Sequence, residues 1–222
     1  MNKKFVKAAV SLVLFVLSIV LVKTVDVAAV GPANTQIGLS HLNASFHNII
    51  GTHMFLYQAT NLLGFWAILC GCIFAVIGVV QLVQRKSLAK VDKKILALGG
   101  LFVVTGILYV LFEKVVINCR PILMEGETVP EASFPSSHTV LAVVIFGSIA
   151  MILRDYLNDR KLAATLQNVC LVLMAVAVLG RLFSGVHWLT DILGGLFLSF
   201  ALLQAFSGVL DMFGEKPEKQ EE

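Results

Sequence analysis

His187 and Asp191 stand four residues apart, a spacing that sets two side chains on one face of a helix. A carboxylate so placed can accept the proton of one imidazole nitrogen, fix the tautomer and leave the other nitrogen as a nucleophile or base. The same pair can equally be a helix-end hydrogen bond that only satisfies two polar groups. A second imidazole, His138, follows Pro135-Ser136-Ser137, and Pro-Ser ahead of an apolar run is a helix start signal. The first N–H groups of such a helix have no internal partners and carry partial positive charge, so an anion binds there. Arg120 and Arg181 add planar, paired donors that match phosphate oxygens. A lone arginine near the end of an apolar run is ordinarily a snorkelling anchor; two arginines beside two histidines ask for more. Together these groups form an oxyanion site with the parts that phosphoryl transfer needs: charge clamps, an in-line nucleophile and an acid for the leaving oxygen.

The elements that must hold these residues are membrane spans. The chain has 222 residues, 58% apolar and 14% charged, with a mean hydropathy of +0.88. Soluble domains average about 25% charged and about 45–50% apolar residues, so this chain cannot cover itself in water. Disorder is excluded by the same figures, and 17 Gly, 5 Pro and 4 Cys show neither collagen period nor disulfide density. A net charge of +3 gives no case for a nucleic-acid partner. A bilayer core of roughly 30 Å needs about 20 apolar residues, and six runs qualify, at 5–23, 61–83, 95–113, 138–153, 162–180 and 188–210. The expected fold is therefore all-α, a six-span transmembrane bundle. Thirteen of the 17 basic residues then fall on the side of the N-terminus, leaving Lys23, Lys114, Arg120 and Arg181 across the membrane. The positive-inside rule reads this as N-in and C-in, with the reactive residues at the extracytoplasmic ends of spans three to six.

The rest of the chain is organised around that bundle. Residues 1–214 read as one membrane-embedded domain with its chemistry in 114–191, and 215–222 as a charged cytoplasmic tail. The first run is longer than a signal-peptide core and is expected to stay as an anchor. Between Asp26 and Thr60, irregularly spaced apolar residues suggest a helix lying at the interface. His41, His47 and His53 recur every six residues, about 240° apart on a helix, so they do not share a face for a metal. Cys70, Cys72 and Cys170 lie in spans as apolar packing, and Cys119 has no evident disulfide partner. Asn43-Ala44-Ser45 is a formal glycosylation acceptor and a weak match.

The set Arg120-Pro121, Pro135-Ser136-Ser137-His138, and Arg181 with His187 and Asp191 resembles the three-part signature of the type-2 phosphatidic acid phosphatase superfamily. That signature runs Lys-x6-Arg-Pro, then Pro-Ser-Gly-His, then Ser-Arg-x5-His-x3-Asp, and it covers 114–191 here. Three positions depart from it: Ser137 stands for Gly, Gly180 for Ser, and Glu113 occupies the Lys position. A one-residue shift of the helix end would present Lys114 instead. The resemblance implies that His187 attacks phosphorus, Asp191 orients it, and His138 protonates the leaving group and then activates water. It also implies that Arg120, Arg181, Ser136, the Ser137 backbone and Lys114 hold the phosphate, with no metal and no cofactor.

A site at the ends of spans reaches lipid headgroups, so the expected partner is a lipid phosphate within the membrane: an isoprenoid diphosphate such as undecaprenyl diphosphate, phosphatidic acid or phosphatidylglycerol phosphate. Glu125, Glu127 and Glu131 form an acidic loop that should disfavour very highly charged substrates. A transporter would place ionisable groups near the midplane or show inverted repeats, and neither is present. A lipid phosphotransferase of the same fold stays open, because pocket shape chooses the acceptor. The sequence does not fix the oligomeric state.

Overall fold

The computed structural model describes residues 2–213. The charged tail expected at 215–222 lies outside them. Seven α-helices follow in chain order: α1 Lys3–Thr24, α2 Ser40–Ile50, α3 Met54–Arg85, α4 Lys93–Lys114, α5 Ser137–Tyr156, α6 Arg160–Ser184 and α7 Leu189–Phe213. All except α2 are long and apolar enough to cross a membrane. Large apolar side chains stand outward along them, such as Val13 at 65% exposure and Val83 at 69%. That much outward apolar surface is what lipid contact, not water, selects.

Polar residues punctuate the chain at one end of the bundle. Asn2, Asp92 and Asp159 cap α1, α4 and α6 by accepting N–H bonds from Lys4, Lys94 and Lys161. The Asp92 carboxylate also accepts the Tyr156 hydroxyl at 2.7 Å, and Lys94 pairs with Asp155 at 2.9 Å. These contacts tie the start of α4 to the end of α5. The reactive residues collect at the other end, where α3, α5 and α7 begin.

Helix α5 is the central element, buried on nearly every side from Thr139 to Leu153. It packs against α3, α4, α6 and α7, while α1 lies along α7. Small residues permit the close approaches: a Cβ on Gly147 would sit 2.7 Å from Leu203, and one on Gly194 would sit 2.5 Å from the Phe134 ring. Helices in lipid gain from such contacts because no hydrophobic driving force separates them from the tails.

Two elements differ from the sequence expectation. The interfacial helix is α2, but Met54 and Phe55 belong to α3, which starts seven residues ahead of the expected span. At 32 residues, α3 is about 48 Å long, well beyond the hydrocarbon core. Its first turns therefore carry Tyr57, ahead of the expected span, and Asn61 at its expected start. The second difference is Asn43, which is buried and bonded through its amide to the Gly38 carbonyl and Thr190 hydroxyl at 2.8 and 3.0 Å. It pins α2 over the start of α7 and is not presented to solvent for glycosylation. The three spaced histidines go to separate places: His41 to Asp26, His53 to the Ile50 carbonyl, and His47 edge-on to Trp188.

Candidate active site

Four segments converge at the site end. Before α5 the chain folds back on itself, with Cys119 and Ala132 forming an isolated antiparallel bridge. Arg120 N–H donates to the Glu131 carbonyl at 3.0 Å, and Ser133 N–H to the Asn118 carbonyl at 2.9 Å. This pinch buries Arg120 to 8% exposure. Its Nε lies 2.7 Å from a Glu131 carboxylate oxygen. The last turn of α6 supplies Arg181, 1% exposed. The helix then stops at Gly185, whose φ of 67° is left-handed, and the chain turns through His187 into α7.

Hydrogen bonds lock these segments together. Trp188 Nε1 donates to the Cys119 carbonyl at 2.7 Å, joining the His187 loop to the Arg120 strand. Ser136 N–H donates to the Asp191 carbonyl at 3.0 Å, joining the starts of α5 and α7. The Asp191 carboxylate accepts the Trp188 N–H at 2.9 Å. Its Oδ2 lies 3.6 Å from His187 Nδ1, too long for a hydrogen bond. Catalytic hydrogen bonds commonly tighten only when substrate is bound. His187 precedes α7 instead of sitting in its first turn, and its Nδ1 faces the Asp191 carboxylate without hydrogen-bonding to it.

Buried polar groups without partners are rare in folded proteins. Among the described residues every such side-chain atom except His47 Nδ1 belongs to Asn118, Arg120, Ser133, His138, Arg181, His187 or Asp191. Unspent donors and acceptors are thus concentrated at one place, facing one another. The N–H groups of Ser137, His138 and Thr139 open α5 beside them. Ser136 spends its N–H on the Asp191 carbonyl, while its Oγ accepts the Thr139 hydroxyl at 3.0 Å and keeps its own O–H to donate. Ser137 lines the cavity that reaches His187.

Lys114 is not brought to the site. It is exposed at the end of α4, and no hydrogen bond or ion pair of its side chain occurs among the described residues. Glu113 lines the cavity instead, because the helix end does not shift by a residue. Sequence reasoning also missed a face of α3. The Arg181 guanidinium lies 4.6 Å from the Tyr57 ring centroid and that of Arg120 lies 6.0 Å from it, while Arg181 Nη2 donates to the Asn61 amide oxygen. A Cβ on Gly64 would stand 3.1 Å from the His138 ring. Tyr57, Asn61 and Gly64 recur at helical spacing at the head of an apolar run, and that spacing was the available signal.

His187 lies in the loop between spanning helices. Burial first, then the positive charges of Arg120 and Arg181, hold its imidazole well below the usual histidine range. A lowered value means that the neutral form persists as pH falls through 6.5. An ¹⁵N NMR titration of selectively labelled protein should find His187 neutral at pH 6.5, with its midpoint moving up in Arg181→Ala. A protonated His187 at that pH would contradict the electrostatics.

Residues 94–214 match the model of the PAP2 superfamily. The chain belongs to the PAP2 superfamily. It is 32% identical over 91 residues to phosphatidylglycerophosphatase B of Bacillus subtilis (strain 168), a stretch that takes in 38% of this chain and 43% of that protein. The match therefore spans less than half of the relative's length. The fold resembles a crystal structure of a transmembrane PAP2-type phosphatidylglycerolphosphate phosphatase from Bacillus subtilis, with a TM-score of 0.66 and 18% identity over 96% of this chain and 99% of that one. This is a multi-pass membrane protein.

One departure from the PAP2 pattern has a steric reason in this chain. A Cβ on Gly180 would lie 2.5 Å from Thr60 Cγ2, and Thr60 is buried on α3. Glycine lets α6 approach α3, which seats Arg181 on Tyr57 and Asn61. Gly180→Ser should therefore reduce kcat/KM by about 10-fold, the scale of overpacking by a small side chain. Adding Thr60→Ser, which removes Cγ2 and keeps the hydroxyl, should restore most of it. Equal activity of wild type and Gly180→Ser would remove the steric account.

Proposed function

We propose that this protein is an integral membrane lipid phosphatase that hydrolyses a phosphomonoester or diphosphate on a lipid through a phosphohistidine on His187. The observation that carries the proposal is the gathering of unpartnered buried donors and acceptors of Arg120, His138, Arg181, His187 and Asp191 at one place, the inventory that phosphoryl transfer needs. A narrow cavity opens beside it, lined by His187, Ser133 and Ser137 at its polar end and by Leu108, Phe112, Val140 and Leu141 between α4 and α5. The catalytic set is His187, His138 and Asp191, and the phosphate set is Arg120, Arg181, Ser137 and the Ser136 hydroxyl.

In the first step a lone pair of His187 Nε2 attacks phosphorus, since Nδ1 faces Asp191. The bond from phosphorus to the leaving oxygen breaks, and His138 donates a proton to that oxygen. In the second step the now neutral His138 takes a proton from water, the hydroxide oxygen bonds to phosphorus, and the N–P bond breaks to return neutral His187. The two guanidiniums stabilise charge on the equatorial oxygens throughout. They supply fixed positive charge at the position where other phosphoryl-transfer enzymes use a divalent ion, so the reaction is proposed to be metal-independent. The basic-residue distribution supports an N-in, C-in orientation in the plasma membrane with the site on the extracytoplasmic side.

The relative's name favours phosphatidylglycerol phosphate, with phosphatidic acid and isoprenoid diphosphates as the other candidates. Phosphate release from this panel by purified protein in chelator tests the reading. Turnover of at least one lipid phosphate in chelator is expected; activity that disappears in chelator and returns with a divalent metal would identify a metal enzyme. The acidic loop is narrower than the sequence suggested, because Glu131 is committed to Arg120. Glu125→Gln with Glu127→Gln should raise diphosphate turnover relative to monoester turnover by about 3-fold at low salt. An unchanged ranking would leave the loop without a part in selection.

A further inference from the structure

We propose that Tyr57 and Asn61 of α3 are positioning residues for the phosphate clamp: the Tyr57 ring seats both guanidiniums and Asn61 holds the back edge of Arg181. The proposal rests on the reading of the site as a lipid phosphatase. It starts from an electrostatic difficulty. Arg120 and Arg181 are 8% and 1% exposed, and two like charges brought together out of water repel strongly. Something must hold them there before a phosphate arrives.

The structure answers with one side chain shared by both cations. The Tyr57 centroid is 4.6 Å from the Arg181 guanidinium and 6.0 Å from that of Arg120, within the range of attraction between a cation and the negative face of an aromatic ring. Arg181 sits closer and is the more buried of the two. The donors are then divided. Arg181 Nη2 is spent on the Asn61 amide oxygen, and Arg120 Nε faces the Glu131 carboxylate at 2.7 Å. Arg181 Nε and Nη1 and Arg120 Nη1 make no hydrogen bond, and neither does Arg120 Nε, whose contact with Glu131 is an ion pair. The faces and back edges of the clamp are thus committed to protein, and the remaining N–H groups are left for phosphate oxygens. A guanidinium fixed in this way loses little freedom when it binds.

Tyr57 and Asn61 are one helical turn apart, so they present one face of α3. Thr60 anchors that turn: its hydroxyl donates to the Leu56 and Tyr57 carbonyls at 2.8 and 2.9 Å. The PAP2 match begins at residue 94, so this support comes from a helix ahead of the family's matched region.

The test uses full-length protein in lipid nanodiscs and two readouts, orthovanadate affinity by calorimetry and steady-state turnover of a lipid phosphate. Tyr57→Phe keeps the ring and should stay within about 3-fold of wild type in both. Tyr57→Leu should weaken orthovanadate binding by about 10-fold and lower kcat/KM by about 30-fold, with the thermal midpoint unchanged. Asn61→Ala should act in the same direction by about 5-fold. In an Arg181→Ala background Tyr57→Leu should change vanadate affinity by less than about 3-fold, because the cation that the ring seats is absent. Wild-type affinity in Tyr57→Leu, or an equal loss with and without Arg181, overturns the proposal. If vanadate shows the Tyr57–Arg181 coupling while no lipid phosphate is hydrolysed, the positioning role stands and the lipid phosphatase reading falls.

Discussion

His187→Ala should bring lipid phosphate turnover down by at least about 10⁴-fold, with the fold intact. The expected loss follows from removing the only imidazole that is at once neutral, held near a carboxylate and surrounded by both clamp arginines. Water attacking directly would have to reach phosphorus without a covalent intermediate to divide the barrier, and 10⁴-fold corresponds to about 5.5 kcal/mol of activation free energy. Stability should change little. His187 is 4% exposed and both ring nitrogens lack partners, so alanine removes a buried polar group that the folded protein does not satisfy. Vanadate affinity should also survive, because Arg120, Arg181 and the α5 N–H groups remain. A rapid quench into alkali, where a phosphohistidine N–P bond survives, should trap label on wild type and none on His187→Ala. Full turnover by the variant, or label that persists in it, would move the nucleophile to another residue.

Gly185→Ala should be among the most damaging small substitutions in the described residues. Gly185 ends α6 at a φ of 67°, and an added Cβ would lie 1.8 Å from the Gly51 carbonyl oxygen and 2.9 Å from its carbon. Both neighbours are backbone, so no rotamer change relieves the clash. The left-handed conformation alone costs an alanine about 1–2 kcal/mol, and forced separation of packed backbone adds about 1–3 kcal/mol. Separation here also breaks the bond from His53 N–H to the Ser184 carbonyl at 2.8 Å. It displaces His187 two residues downstream and the start of α3, with Tyr57, on the other side. A fall in thermal midpoint together with near-complete loss of turnover is expected. Gly106→Ala serves as the control, since nothing lies within 4 Å of a Cβ there and alanine is the better helix former. Wild-type stability and turnover in Gly185→Ala would show that the turn relaxes without effect.

The residues bear unevenly on how far a sequence reading reaches. The structure brings His138, Arg120, Arg181, His187 and Asp191 together, and the sequence offered them as one candidate set because few charged residues interrupt this chain and their types suit phosphoryl transfer. The spans were legible for the same reason, with ends within a few residues for every helix except α3. Lys114 failed as a clamp member because a helix turns about 100° per residue. One position decides which side chain faces the cavity, and Glu113 does. Asn43 looked like a surface acceptor because a three-residue pattern carries no information about burial. Glu131 looked like part of an acidic rim until the bridge between Cys119 and Ala132 placed it against Arg120.

Apolar length and residue type are local properties, so the solvent, the number of spans and the chemical inventory could be read before any fold was known. Which of those groups meet was left to tertiary packing. It brought in α3, left Lys114 exposed, spent the Ser136 N–H on Asp191, and made Gly180 and Gly185 points of contact between helices. Each of these outcomes depends on packing between segments far apart in the chain, and on a rotation of one residue about a helix axis, neither of which a local pattern encodes.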